Sequence, residues 1–293
     1  MRSVPRRTAE TNGAPRPGRT VETTVVAYEQ FENRRKHDDV VTEEPLELRL
    51  VAGRETQTLA VTMRTPGNDF ELAAGFAANE GILRSRDDIR QIAYCIDPEI
   101  DAEQRYNIVN IGLVASELPD TTRFERHFTM NSSCGVCGRA NLEALRDLGI
   151  APIDDDVCVP ISMIYSLPDR MLEAQRVFSS TGGLHAAALF DRDGNLRCVR
   201  EDVGRHNALD KVVGWGTLSG ELPFSASILM VSGRASYEIL QKAAVARIPI
   251  VCAVSAPSSL AVDLAREFNI TLAGFVNGER ANVYTAAERI TTE

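Results

Sequence analysis

The sequence predicts an α/β protein, and three observations carry that prediction. From residue 227 short apolar strands alternate with helical patterns: 227–231, 236–247, 250–254, 259–268 and 270–275. Alternation of this kind means a sheet with parallel strands covered on both faces. Just upstream, 183–190 and 196–200 read as a hairpin joined at Asp193-Gly194, a strong turn signal. The first half has a different rhythm, strand-rich with one clear helix, and reads as α+β.

Taken in order, residues 1–20 are rich in Pro, Gly, Thr and Arg without periodicity, and predict a disordered tail. Strands follow at 23–28, 46–51 and 57–63. Pro66-Gly67-Asn68 is a turn, and Asp69 can cap a helix over 70–80. That helix puts Leu72, Ala73, Phe76 and Ala77 on one face, and Gly81 ends it. Further strands are expected at 89–96 and 106–114. Arg64 and Glu80 have no motif around them and read as solvated charges. Helices are expected at 168–179 and 203–213. The boundary between halves falls in the acidic, proline-bracketed stretch 152–160. The expected division is a tail at 1–20, an N-terminal α+β region at 21–158 and a second domain at 159–293.

The chain has 293 residues, 44% hydrophobic and 25% charged, enough for a sizeable core. No apolar run approaches the ~20 residues of a membrane span. The N-terminus has arginines but no apolar stretch of the kind a secretory signal needs. Six cysteines in this length are too sparse for a disulfide scaffold, so a reduced, cytoplasmic setting is expected. Net charge is −9; the tail carries five Arg and one Glu, which leaves the body more acidic still. An acidic body argues against a broad nucleic-acid surface. Cys95, Cys158, Cys198 and Cys252 lie in or beside apolar runs and read as buried small hydrophobes.

Cys134 and Cys137 differ from these four. They form a C-x-x-C in the stretch Asn131-Ser132-Ser133-Cys134-Gly135-Val136-Cys137-Gly138-Arg139, and the domain 21–158 ends in this loop and the helix after it. Leu142, Leu145 and Leu148 then mark one face of that helix, and Gly149 stops it. A helix N-terminus and nearby Arg139 favour thiolate over thiol, slightly more so at Cys137. Three uses remain open. Structural zinc needs four ligands, and even with His127 only three such groups gather locally. A thioredoxin-like pair expects a strand before the motif, where this chain is polar. A sulfur carrier wants a mobile, glycine-flanked loop and an acceptor site nearby.

Polar clusters supply such a site. Ligands of open α/β sheets bind beyond the carboxyl ends of the strands. There this chain has Ser179 to His185, Arg200 to Asn207, Ser232 to Ser236, Ser255 to Ser259, and Phe275 to Arg280. Strand, small polar loop and helix N-terminus present N–H groups to an anion. Arg205, Arg234 and Arg280 can make bidentate contacts to phosphate. One such loop is ordinary helix capping; five brought together by topology predict a large anionic ligand. His185 reads as a satisfied imidazole as readily as a ligand contact, and His206 as a helix-surface pair with Asp202.

Several motifs together resemble the formate dehydrogenase accessory sulfurtransferases. They are Ser133-Cys134-Gly135-Val136-Cys137-Gly138, Thr181-Gly182-Gly183-Leu184-His185-Ala186-Ala187, Glu201-Asp202-Val203-Gly204-Arg205-His206-Asn207-Ala208, Ser232-Gly233-Arg234-Ala235-Ser236-Tyr237-Glu238 and Pro257-Ser258-Ser259-Leu260-Ala261. The resemblance spans about residues 28–284. It implies a carrier that takes sulfur from a cysteine desulfurase and passes it to the molybdenum cofactor, as bis(molybdopterin guanine dinucleotide), before formate dehydrogenase receives it. Cys134 would hold the persulfide and Cys137 assist. Phe275, Val276, Asn277, Gly278, Glu279 and Arg280 match the family's cofactor-binding segment; Ser232, Arg234, Ser258 and His206 are expected beside it. The fold implied for 159–293 is a cytidine-deaminase-like three-layer sandwich, next to a smaller N-terminal α+β domain. A cytoplasmic homodimer is expected, with no tightly bound zinc. The zinc deaminases' H-x-E and P-C-x-x-C are missing, since His185 is followed by Ala186-Ala187, so deaminase activity is not expected. The competing reading is a non-catalytic cofactor chaperone whose C-x-x-C is structural.

Overall fold

The computed structural model describes residues 16–101, 104–120, 145 and 149–292. Cys134, Cys137, His127 and Arg139 lie outside the described residues, as does all but Leu145 of the helix expected after them.

The chain opens with two antiparallel strands, β1 (Thr20–Glu29) and β2 (Glu32–Val41), paired only with each other among the described residues. Just before β1, Arg16 lies over the rings of Tyr94 and Tyr106, and Arg19 donates to Asn68 Oδ1 at 2.7 Å. Next come β3 (Glu44–Ala52), β4 (Glu55–Arg64), α1 (Asp69–Asn79), β5 (Ile89–Tyr94) and β6 (Ile108–Leu113). The strands form one sheet in the order β4-β3-β6-β5. The period-2 pattern of β3 buries Leu46, Leu48, Leu50 and Ala52 on one face.

The second half begins at β7 (Val159–Pro160), followed by α2 (Ile161–Ala174) and the short α3 (Arg176–Thr181). α2 starts well before Pro168, where the sequence places the helix start, and keeps Pro168 inside. Ile164, Leu167 and Met171 hold it against the core, so tertiary packing outweighs the missing backbone donor. The hairpin β8 (His185–Asp191) and β9 (Leu196–Asp202) turns through Asp191, whose carboxylate accepts from the backbone of Asp193 and Asn195. Then come α4 (Arg205–Ser219), β10 (Ser227–Val231), α5 (Tyr237–Val245), β11 (Ile250–Ala253), α6 (Ser259–Glu267), β12 (Thr271–Asn277), β13 (Arg280–Thr285) and β14 (Ile290–Thr291).

The large sheet has the order β13-β12-β11-β10-β8-β9. Its centre is parallel, β10 to β11 to β12, and the remaining pairings are antiparallel. Alternate strand residues serve two cores. Leu229, Val231, Val251 and Ala253 face α4, α5 and α6, while Ile228, Met230, Ile250 and Cys252 face α2. The fold is therefore mixed α/β, with six helices among the described residues.

The first core runs without a break from Leu46, Leu72 and Ile111 to Leu209, Val212 and Leu240, so the two sheets share it. Its centre is the crossing of α1 and α4. A Cβ on Gly75 would lie 1.8 Å from Asp210 O, and one on Gly214 1.7 Å from Glu71 O. Only hydrogen at both positions lets the helix backbones touch.

Buried charges hold the first sheet to the start of α1, and α1 to α4. Arg64 is fully buried rather than solvated. It pairs with Asp69 at 3.2 Å and Glu44 at 3.3 Å, and donates to Asn107 Oδ1 at 3.0 Å. Burial, with the Asp69 carboxylate beside it, holds the Tyr94 phenol above its ordinary range. Glu80 is half-buried. Asp210 accepts from Asn79 and Lys242, both at 2.6 Å.

Candidate functional site

β8 begins where β9, β10, β11 and β12 end, so five polar loops meet at one end of the large sheet. At its centre Ser232 continues the ladder. Its N–H donates to Ala186 O at 3.0 Å, and its Oγ accepts from Ala186 N–H at 2.9 Å. Gly233 follows; a Cβ there would stand 3.5 Å from His185 Nδ1 and 3.8 Å from Arg205 Cδ. His185, Gly233 and Arg205 therefore lie side by side. The buried Arg205 Nε has no hydrogen-bond partner among the described residues.

Asp202, expected beside His206, is committed elsewhere. It accepts from Gly204 N–H at 2.8 Å, Asn207 Nδ2 at 3.1 Å and Thr65 N–H at 3.2 Å, and pairs with buried Lys211 at 2.6 Å. Burial pushes the Lys211 ammonium down, and Asp202 opposes that. Lys211 also donates to Thr65 O at 3.0 Å, and Asn207 to Met63 O at 2.8 Å. The turn that opens α4 is thus tied to the end of β4.

His206 faces α5 instead. Its Nε2 is 3.2 Å from Ser236 Oγ and 3.7 Å from Glu238 Oε2. Burial pushes its pKa down to about 4, helped by Arg205 and Lys242 and opposed by Glu238 and Asp210. Burial raises the Glu238 carboxyl, but hydrogen bonds from its own N–H and from Ser236, with His206 and Arg205 nearby, hold it below its ordinary value. His185 is lowered by burial and by Arg205, against Asp202. Both imidazoles are therefore neutral near pH 7 and act as hydrogen-bonding groups rather than charges. Since the unfolded chain binds a proton at His206 near pH 6.5 and the folded one only near 4, stability is full above 6.5 and falls as pH drops through this window. His206→Gln is expected to flatten the decline of Tm between pH 6.5 and 4, measured by thermal scans across that range.

The neighbouring loops are stitched together. Ser258 caps α6, its Oγ accepting from Ala261 N–H at 3.2 Å, while its own N–H donates to Ala235 O at 3.0 Å. Ala235 and Pro257 form a parallel bridge, and Phe275 N–H donates to Ser255 O at 3.2 Å. Phe275 sits at φ +54°, in a bulge between Gly274 and Asn277. A Cβ on Gly274 would meet Pro257 Cδ at 2.9 Å, so glycine lets the strand close on the loop. Asn277 Oδ1 accepts from Glu279 N–H at 3.1 Å, which shapes the turn through Gly278, and the Arg280 guanidinium lies 5.8 Å from the Phe275 ring centre. Arg234 and Arg280 are exposed and have no ion-pair partner among the described residues. Val276 differs from the rest of its segment: its side chain fills the core on the α2 face, leaving only its backbone for a ligand.

The sequence thus brings Ser232, Arg234, His206, Ser258 and the 275–280 turn to one sheet end. It left out Glu238 and Ser236 as partners of His206, because residues 30 or more apart carry no local pairing signal. Cys95, Cys198 and Cys252 are buried, and burial pushes the Cys198 and Cys252 thiols up to about 12. Cys158, expected to be buried, is exposed, with Sγ 3.7 Å from Glu288 O. It follows the acidic loop and precedes the two-residue β7, so only Val157 and Val159 on either side turn into the core. Among the described residues no three His, Cys, Asp or Glu side chains gather to hold a metal, and no helix is long and apolar enough to cross a membrane.

Comparisons with known proteins agree with one another. The sulfur carrier protein FdhD of Streptomyces coelicolor is 51% identical over 256 residues, covering 86% of this chain and 89% of that one. The sulfur carrier protein FdhD of Mycobacterium tuberculosis is 46% identical over 258 residues, covering 87% and 92%. A crystal structure described as a formate dehydrogenase accessory protein from Desulfotalea psychrophila superposes with a TM-score of 0.71 at 26% identity, covering 94% of this chain and all of that one. The FdhD/NarQ family matches residues 41–291, from the end of β2 to β14. With that span and these identities, the chain belongs to the FdhD/NarQ family.

Proposed function

We propose that this protein is a cytoplasmic sulfur carrier that loads the molybdenum cofactor before formate dehydrogenase receives it. Membership of a family whose relatives are named sulfur carriers, with the C-x-x-C at Cys134 and Cys137, carries the reading. In the first step the Cys134 thiolate attacks the outer sulfur of a cysteine desulfurase persulfide. The donor's S–S bond breaks, its electron pair leaves with the desulfurase thiolate, and Cys134 holds the sulfur as a persulfide. In the second, the Cys137 thiolate attacks the inner sulfur of Cys134. The outer sulfur leaves with the bond's electron pair, at the level of sulfide, as a ligand for the metal. A Cys134–Cys137 disulfide remains, which a thiol reductant resets.

The acceptor, bis(molybdopterin guanine dinucleotide), is a substrate carrying two pyrophosphates. Arg234 and Arg280 suit these groups as exposed guanidiniums, and α5 and α6 open from loops at the same end of the sheet. The unpartnered Arg205 Nε and neutral His206 offer further hydrogen bonds. We read 159–293 as the cofactor-binding domain, a cytidine-deaminase-like sandwich, and 21–158 as the part that carries the cysteine loop. The working form is read as a homodimer. GDP is a simple probe of the guanine dinucleotide arm. Calorimetry should find GDP binding in the wild type, weakened about tenfold by Arg234→Ala or Arg280→Ala. Absence of GDP binding, or binding indifferent to both changes, contradicts the proposed acceptor site.

A further inference from the structure

β1 and β2 form a ribbon of ten-residue strands, and among the described residues neither outer edge pairs with another strand. The ribbon meets α3 where β2 ends, with Val41 close to Gly183; beyond that contact two strands are marginal in water, and both edges offer free N–H and C=O groups. The tip exposes Phe31 completely, at φ +80°, with exposed Tyr28 beside it. β2 is exposed from Glu32 to Val40, and its charges are sorted by sign: Arg34, Arg35 and Lys36, then His37, then Asp38 and Asp39. Within the ribbon Arg34 pairs with Glu29 at 3.0 Å, and His37 with Glu22 at 3.4 Å. Arg35, Lys36, Asp38 and Asp39 have no ion-pair partner among the described residues.

We propose that β2 pairs edge to edge with β2 of a second copy of this chain, antiparallel across a two-fold axis at His37, closing a four-stranded sheet. The occupant follows from charge order. In an antiparallel pair related by a two-fold, one residue faces its own copy and the others face their mirror positions. With His37 on the axis, Arg35 faces the partner's Asp39 and Lys36 faces the partner's Asp38, each pairing being made twice. Neighbouring registers lose this match. An axis at Arg35 sets Arg34 against the partner's Lys36. An axis at Lys36 or Asp38 sets that charge against itself. Like charges directly opposite are unfavourable in a sheet and opposite ones favourable, so the sequence of β2 selects one register. β1 has only Glu22 and Glu29 for charge and offers no such match. An edge meant only to repel would need one sign throughout; β2 inverts its sign about its own midpoint, which fits a second copy of itself. The inference rests on the homodimer in the proposed function and is independent of the sulfur chemistry.

Sedimentation velocity on the full chain tests it. The wild type is expected to be a dimer. Arg35→Asp with Lys36→Asp should raise the dissociation constant at least tenfold, and adding Asp38→Lys with Asp39→Arg should restore the dimer. Under mild oxidation His37→Cys should cross-link to its own copy. Arg34→Cys should not, since it faces the partner's Val40. A monomeric wild type overturns both the interface and the homodimer. A dimer indifferent to the charge reversal, with no cross-link at position 37, overturns the interface alone.

Discussion

Cys134→Ala is expected to reduce maturation of formate dehydrogenase to the level found without this protein. In the proposed cycle the sulfur in transit is a covalent substituent of Cys134, and alanine would leave no atom to bear it. Among the described thiols, Cys95, Cys198 and Cys252 are buried and do not substitute, and the last two are held as thiols by burial. Exposed Cys158 sits beside the β7–β14 pairing, and Cys158→Ser is expected to leave maturation intact. Cys137→Ala should separate the two halves of the cycle. The first thiolate still accepts sulfur, but no second thiolate releases it as sulfide, so loading persists while delivery fails. Formate dehydrogenase activity in cells carrying each variant checks maturation in all three, and the mass of purified Cys137→Ala checks that it is still loaded. Full maturation with both Cys134→Ala and Cys137→Ala would falsify the carrier role.

Asp202→Ala is expected to cost about 3–5 kcal/mol, because it leaves the Lys211 ammonium buried without its carboxylate. It also removes an acceptor from Gly204, Asn207 and Thr65 at once, and so loosens the turn that carries Arg205 and His206. At roughly 2–4 °C per kcal/mol for a domain of this size, Tm should fall by about 10 °C. The pair can be told from its surroundings by a double change. Asp202→Leu with Lys211→Met removes both charges and should recover much of the loss, whereas either change alone should not. Thermal unfolding of the four proteins measures this. Equal losses in the single and double variants would mean that the backbone contacts of Asp202, rather than its charge pair, hold the junction.

Those elements whose cause is local were legible in the sequence. The strand-like run 46–51 gave β3, Asp193-Gly194 the hairpin, and Pro66-Gly67-Asn68 the entry to α1. The alternating strands and helices after residue 227 gave the centre of the large sheet, and with it the end at which the polar loops meet. Where long-range packing decides, the sequence was silent. β2 is polar from Glu32 to Asp39 and has no buried face to impose a period; it is a strand because β1 supplies its hydrogen bonds. Arg64 looks like any exposed arginine until Asp69, Glu44 and Asn107 are folded around it. α2 includes Pro168 because core contacts on either side of it outweigh one missing bond. At the candidate site, the residues on each loop were legible, but not their pairing: Asp202 turns to Lys211, and His206 to Ser236 and Glu238. The 275–280 segment was legible as a unit, yet the bulge at Phe275 resets the alternation and puts Val276 on the same core face as Ala273.

The most direct test of the carrier role is intact-protein mass spectrometry after incubation with a cysteine desulfurase and cysteine. Wild type, Cys134→Ala and Cys137→Ala would be compared side by side. A gain of one sulfur atom is expected in the wild type and in Cys137→Ala, reversed by reductant, and no gain in Cys134→Ala. No gain in any of the three, with stoichiometric zinc bound through the cysteines instead, would contradict it and make the C-x-x-C a structural element of a cofactor-binding chaperone.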